Sequence, residues 1–139
     1  MTGDPDVHIL VDGQRIDAAT RHDDVMMFQL PPNRGDIRLA SRSAAPQELG
    51  LTRDPRCLGV AVSLLVALQN HRITSMEAAD DRLTDGFHDY EPDNRFRWTD
   101  GHASIPLSLF APFAGPVTLL VTIASTAHYI DDSPATVAA

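Results

Sequence analysis

The chain has no lysine, one cysteine and one tryptophan, and only 6% of its 139 residues are aromatic. Each shortage removes a class of reading. A lone thiol, Cys57, cannot close an internal disulfide, so the chain is not a disulfide-stapled secreted scaffold. All 11 basic residues are arginine and they face 19 acidic ones, for a formal net charge of -8. That balance repels nucleic-acid phosphates and anionic lipid headgroups, so neither is expected as a partner. No run approaches the ~20 apolar residues of a membrane span, and residues 1–12 lack a basic start followed by an apolar core. Membrane insertion and an export signal are therefore not expected, and the sequence reads as cytoplasmic by default. Amphipathic helix is scarce too: residues 47–51 and 75–82 can each supply one turn and no more.

What is present is apolar alternation. Hydrophobic residues make up 43% of the chain, and a domain of this length buries roughly 68% of its unfolded surface, enough for one real core. A single domain over 1–139 is expected, with 1–6 and 131–139 as mobile tails. The longest apolar run, residues 56–69 (RCLGVAVSLLVALQ), places Val60, Val62, Leu64, Val66 and Leu68 on one pleat face and Ala61, Ser63, Leu65, Ala67 and Gln69 on the other. It reads as the central strand. Eight further strands are expected at 8–11, 14–18, 25–30, 36–42, 72–77, 96–99, 102–110 and 117–125. Asp12-Gly13 and Asp100-Gly101 carry the dipeptide that favours tight hairpins, and 21–24, 43–55 and the acidic 78–94 read as connectors. About nine strands with little or no helix specify an all-β, antiparallel β-sandwich or jelly-roll-like fold.

Two blocks carry a family signal. Residues 46–61 (PQELGLTRDPRCLGVA) and 83–107 (LTDGFHDYEPDNRFRWTDGHASIPL) together follow the pattern "ELG…D.R.LGVAV…GFH..E…RWTDG.A.IP". This resembles the C-terminal region of alphaproteobacterial proteins bearing a Hint (hedgehog/intein) module and, more loosely, small domains attached to glycosyltransferases. The resemblance implies a β-sandwich accessory domain. Because no Hint splicing block accompanies Cys57, self-cleavage does not carry over.

Candidate sites cluster around the second block. His88 and Glu91, with Asp85 and Asp89, are the densest group of ligand-type side chains, but their spacing matches no EF-hand or zinc motif, and a solvated acidic loop is preferred to a metal site. Glu91 is expected to pair with Arg97 or Arg56 rather than to act as an acid. No serine occupies a nucleophile elbow and neither Cys57 nor any histidine has an evident partner, so no catalytic residue and no cofactor are expected. Trp98 and Tyr90, with Glu91, Arg97 and His88, form the candidate ligand-binding set: aromatic rings for a sugar face beside polar groups for its hydroxyls. The competing reading makes Phe96 and Trp98 core residues facing Val60, Val62 and Leu64 or their opposite numbers on the second sheet, with Arg97 toward solvent. Two functions follow: a noncatalytic carbohydrate-binding or carbohydrate-associated module, or a structural or protein-interaction domain, with homo-oligomers through sheet edges as a further expectation. A concave aromatic face favours a glycan; a flat apolar patch or an open edge favours a protein partner.

Overall fold

Strands that are apolar on one side need a second layer to bury that side, and the chain provides it with two facing antiparallel sheets. A computed structural model describes residues 3–44, 57–127 and Tyr129. Within them lie β1 (His8–Val11), β2 (Gln14–Ile16), β3 (Thr20–His22), β4 (Val25–Leu30), β5 (Ile37–Ala40), β6 (Ala61–Gln69), β7 (Arg72–Glu77), β8 (Phe87–Glu91), β9 (Phe96–Thr99), β10 (His102–Ser104) and β11 (Val117–Ser125). The smaller sheet has the order β10-β5-β1-β2, the larger β3-β4-β11-β6, after which β6 is shared by β7 and by the pair β9-β8. Ile9, Val11, Ile37 and Leu39 from the small sheet pack against Phe28, Leu30, Leu65, Leu119 and Val121 from the large one. The sandwich expected from alternation is the observed fold, and the only helix among the described residues is a 3-10 turn at Leu107–Phe110.

Eleven strands replace the nine expected. The two additions fall in segments read as connectors. β3 is exposed along its whole length and is recruited only by backbone pairing to β4 across the Asp23-Asp24 turn, so no side-chain pattern announces it. β8 is acidic and half-buried, held by pairing with β9. Segment 75–82 is not a helical turn: its first residues complete β7 and the rest make turns. Residues 3–6 are docked rather than frayed, because Pro5 is buried, its carbonyl accepts the Arg42 N–H at 2.7 Å, and Asp6 pairs with Arg15 at 2.6 Å. The expected tail at 131–139, the turn at 47–51 and any pairing of Glu91 with Arg56 lie outside the described residues.

The two Asp-Gly dipeptides diverge. Asp12 and Gly13 have φ of 50° and 84° and join Val11 to Gln14 in a two-residue hairpin, as their left-handed preference dictates. Asp100-Gly101 does not make a hairpin: β9 belongs to the large sheet and β10 to the small one, so the dipeptide turns a corner between layers. The corner is crowded. Ser41 N–H donates to the Gly101 carbonyl at 2.9 Å, and a Cβ on the neighbouring Gly59 would stand 2.6 Å from the Gly101 nitrogen. The expected long strand over 102–110 ends at Ser104 for the same reason; beyond it the chain is crossing between layers.

The central strand changes face midway. Thr122 pairs with Leu64 and Ile123 with Val62, which leaves Ser63 as an extra residue, a β-bulge. Val60 and Val62 face the main core, but past the bulge Leu65 and Ala67 take over. Leu64, Val66 and Leu68 are turned to the outer face, where they are half-buried. A single inserted residue thus reverses the expected orientation of three of the five apolar side chains.

Candidate functional site

The bulge at Ser63 is also where β6 exchanges neighbours. β7 pairs with Leu64 to Gln69 and β9 with Ala61 and Val62, so a fork opens between them. Arg97 of β9 fills it. Its Nε donates to the Ala78 carbonyl at 2.8 Å, Nη1 to His88 O at 3.0 Å and Nη2 to Asp80 O at 3.5 Å. The residue is 9% exposed, which corrects its expected solvent position: both faces of β9 are covered, so an arginine there does not mark water. Carbonyl acceptors stabilise the buried guanidinium, and the expected Glu91–Arg97 pairing gives way to them. Tyr90, paired with Arg97 across the strands, has its ring centroid 6.0 Å from the guanidinium carbon.

Trp98 lies on the opposite face of β9. It is buried as expected, yet not against Val60, Val62 and Leu64: it forms a second cluster with Leu58 and Ala61, and Phe96 meets it edge-on at 5.8 Å. That arrangement makes it a packing residue and removes it from any aromatic platform. His88 Nε2 is 2.7 Å from the carbonyl of Cys57, while Glu91 Oε1 accepts from Asn94 Nδ2 at 2.8 Å. The five nominated residues therefore divide. Tyr90, Arg97 and the His88 backbone meet at the fork, Trp98 is behind the sheet, and Glu91 Oε1 is held by its own turn. Cys57 is exposed, because the inward-facing run begins at Leu58. Among the described residues no three His, Cys, Asp or Glu side chains converge; Asp85 instead pairs with Arg38 at 3.2 Å. Asp80 beside the fork is held by Arg82 hydrogen bonds, which pull its carboxyl down to about 2.

At the mouth of the fork a cleft of about 360 Å³ is lined by Ser63, Leu64, Glu77, Ala78, Ala79, Tyr90 and Arg95. Arg95 sits at φ 58°, a left-handed position that a side chain such as arginine seldom takes.

The larger feature is the outer face of the five strands β3-β4-β11-β6-β7. Their registers set side chains in rows. One row reads Gln29, Thr118, Leu68, Ile73; the next Thr20, Met27, Leu120, Val66, Ser75; the third His22, Val25, Thr122, Leu64, Glu77. Val25, Met27, Leu64, Val66, Leu68 and Leu120 are half-buried, and Ile73 is 68% exposed. None of them belongs to either buried cluster. No charged side chain interrupts the middle of this face. A signal for it was present in the sequence: β4 (VMMFQL) and β11 (VTLLVTIAS) carry apolar residues at both parities, so neither strand has a fully polar side to give to water.

Against family models, curated proteins and solved structures, the chain matches none.

Proposed function

We propose that the protein is a noncatalytic interaction domain whose working surface is the open apolar face of the large sheet. The observation that carries this is the bulge at Ser63, which delivers Leu64, Val66 and Leu68, part of the strongest apolar stripe in the chain, to the outside. A contiguous apolar face bordered by polar residues marks a contact region on soluble proteins. The likeness to Hint-associated accessory domains agrees with a role exercised by contact. Replacing Met27, Val66 and Leu120 together by Gln, Thr and Thr tests the reading. The variant is expected to keep a cooperative melt within about 4 °C of wild type, as outward-facing changes do, while losing the binding of an apolar dye that wild type shows at high dilution. A wild type that takes up no dye would end the proposal.

A second reading rests on the cleft. Tyr90 offers ring surface beside the Glu77 carboxylate and the Arg95 guanidinium, a combination suited to a saccharide and in keeping with the glycosyltransferase-associated resemblance. A glycan array on wild type and Tyr90→Ala decides it: signals lost in the variant support a carbohydrate module, and a blank array with wild type removes it.

A further inference from the structure

We infer that the occupant of the open face is a second copy of this chain, docked face to face about a two-fold axis running along β11. The inference rests on reading that face as an interaction surface, and it goes on to name the partner and the geometry. β11 is the middle strand of the five. Rotation about an axis parallel to it exchanges β4 with β6 and β3 with β7 while keeping every row in place. Each row then meets its own reversed order. In the middle row Met27 meets Val66 of the other copy, Thr20 meets Ser75, and Leu120 meets itself on the axis. In the third row Val25 meets Leu64 and His22 meets Glu77. In the first row Thr118 meets itself and Gln29 meets Leu68, the one polar group set against an apolar one; in the other two rows apolar groups face apolar groups, small hydroxyls face small hydroxyls, and the edges carry opposite polarity. The Asp23 turn beside His22 likewise comes toward Arg95, which shares the cleft with Glu77.

The other in-plane axis, perpendicular to the strands, matches less well. It sets Ile73 against Glu77 and Gln29 against Val25, two apolar side chains against polar ones where the axis along β11 sets one, Leu68 against Gln29. Size is also consistent with self-association. Five strands at ~4.8 Å spacing and three rows over ~20 Å give a footprint of about 500 Å² per copy, or about 1,000 Å² for the pair, the lower bound for a specific interface. A weak dimer follows, with dissociation in the micromolar range. A C2 contact requires a self-complementary patch, and the row pattern meets that requirement everywhere but at Gln29 and Leu68.

Sedimentation equilibrium of the full chain from about 1 to 200 µM at ~0.15 M salt, an ionic strength that screens the net negative charge, is expected to show mass rising from the 15.1 kDa monomer toward twice that value. Leu120→Lys brings two ammonium groups together on the axis and should raise the dissociation constant at least about 100-fold. Because that change could disturb folding, two exposed positions give an independent check. His22→Glu opposes Glu77 and should weaken the dimer about tenfold, since the clash occurs twice; adding Glu77→Arg should restore it. A wild type that stays monomeric but binds the apolar dye overturns the self-docking and leaves the interaction face intact. A monomer that binds no dye overturns both. A dimer indifferent to Leu120→Lys and to the charge swap is formed through the sheet edges and overturns this geometry.

Discussion

Arg97 is a charge placed where a lysine would not serve. Its planar head reaches three carbonyls belonging to β7's exit turn and to β8, a spread that one ammonium cannot cover. Without it, the backbone acceptors of Ala78 and His88 lose their charged donor in a place where little water can replace it. Arg97→Ala is therefore expected to cost about 2–4 kcal/mol, from charged hydrogen bonds lost and acceptors left unsatisfied, with Arg97→Lys recovering less than half. Urea unfolding midpoints measure this, and a lysine variant as stable as wild type would show that charge alone matters at the fork. The sequence grouped Arg97 with Tyr90, and the two side chains lie against each other across β8 and β9. Their role was hidden because alternation assigns an arginine to water unless something reveals a second covered face, and the fork comes from a long-range change of strand partner.

At the scale of elements, two small irregularities set the architecture. The Ser63 bulge makes room for β7 and β9 on the same side of β6, and the Gly59–Gly101 contact lets the chain pass from the large sheet to the small one. Gly59 is a tight point of that passage: a Cβ there would lie 2.5 Å from Thr99 Oγ1 and 2.6 Å from the Gly101 nitrogen. Thr99 cannot move freely, because its hydroxyl accepts the Val60 N–H at 3.1 Å. Gly59→Ala is expected to cost about 2 kcal/mol or more, as overpacking a rigid site does, whereas Gly3→Ala, with open space around it, should change the melt by no more than about 0.5 kcal/mol. Equal melts for the two variants would mean that the corner relaxes. Local rules located what was local: Asp12-Gly13 as a hairpin, and β11's inward set of Val117, Leu119, Val121 and Ile123. They failed where a partner strand decides. The same Asp-Gly pair that closes β1 onto β2 turns a corner at Asp100, because β10 finds its pairing on β5 and not on β9.

For the whole molecule, stability has two pH boundaries set by different chemistry. On the acid side Arg15 holds Asp6 below the usual carboxylate range, the N–H groups of Asp36 and Gly35 do the same for Asp12, and Arg82 takes Asp80 to about 2. These contributions are present above the unfolded value near ~4 and disappear as pH falls below it. The alkaline boundary belongs to Tyr129. Its side chain is fully buried; the hydroxyl donates to the Gly59 carbonyl at 2.6 Å and accepts the Ala127 N–H at 3.0 Å. Burial raises its pKa above the ordinary value, and Asp4 adds to the effect. The neutral phenol is thus favoured in the folded state. Its contribution is complete below the unfolded pKa of ~10 and is lost as pH climbs through the higher folded value. Tyr129→Phe removes the hydroxyl and strands both backbone partners, a cost of about 1–3 kcal/mol at neutral pH. Phenylalanine has no proton to lose, so the gap between wild type and variant should shrink steadily as thermal melts are taken from about pH 9 upward. A gap that stays constant across that range would show that the phenol has the same pKa in the folded and unfolded chain and that the alkaline limit lies elsewhere in the sandwich.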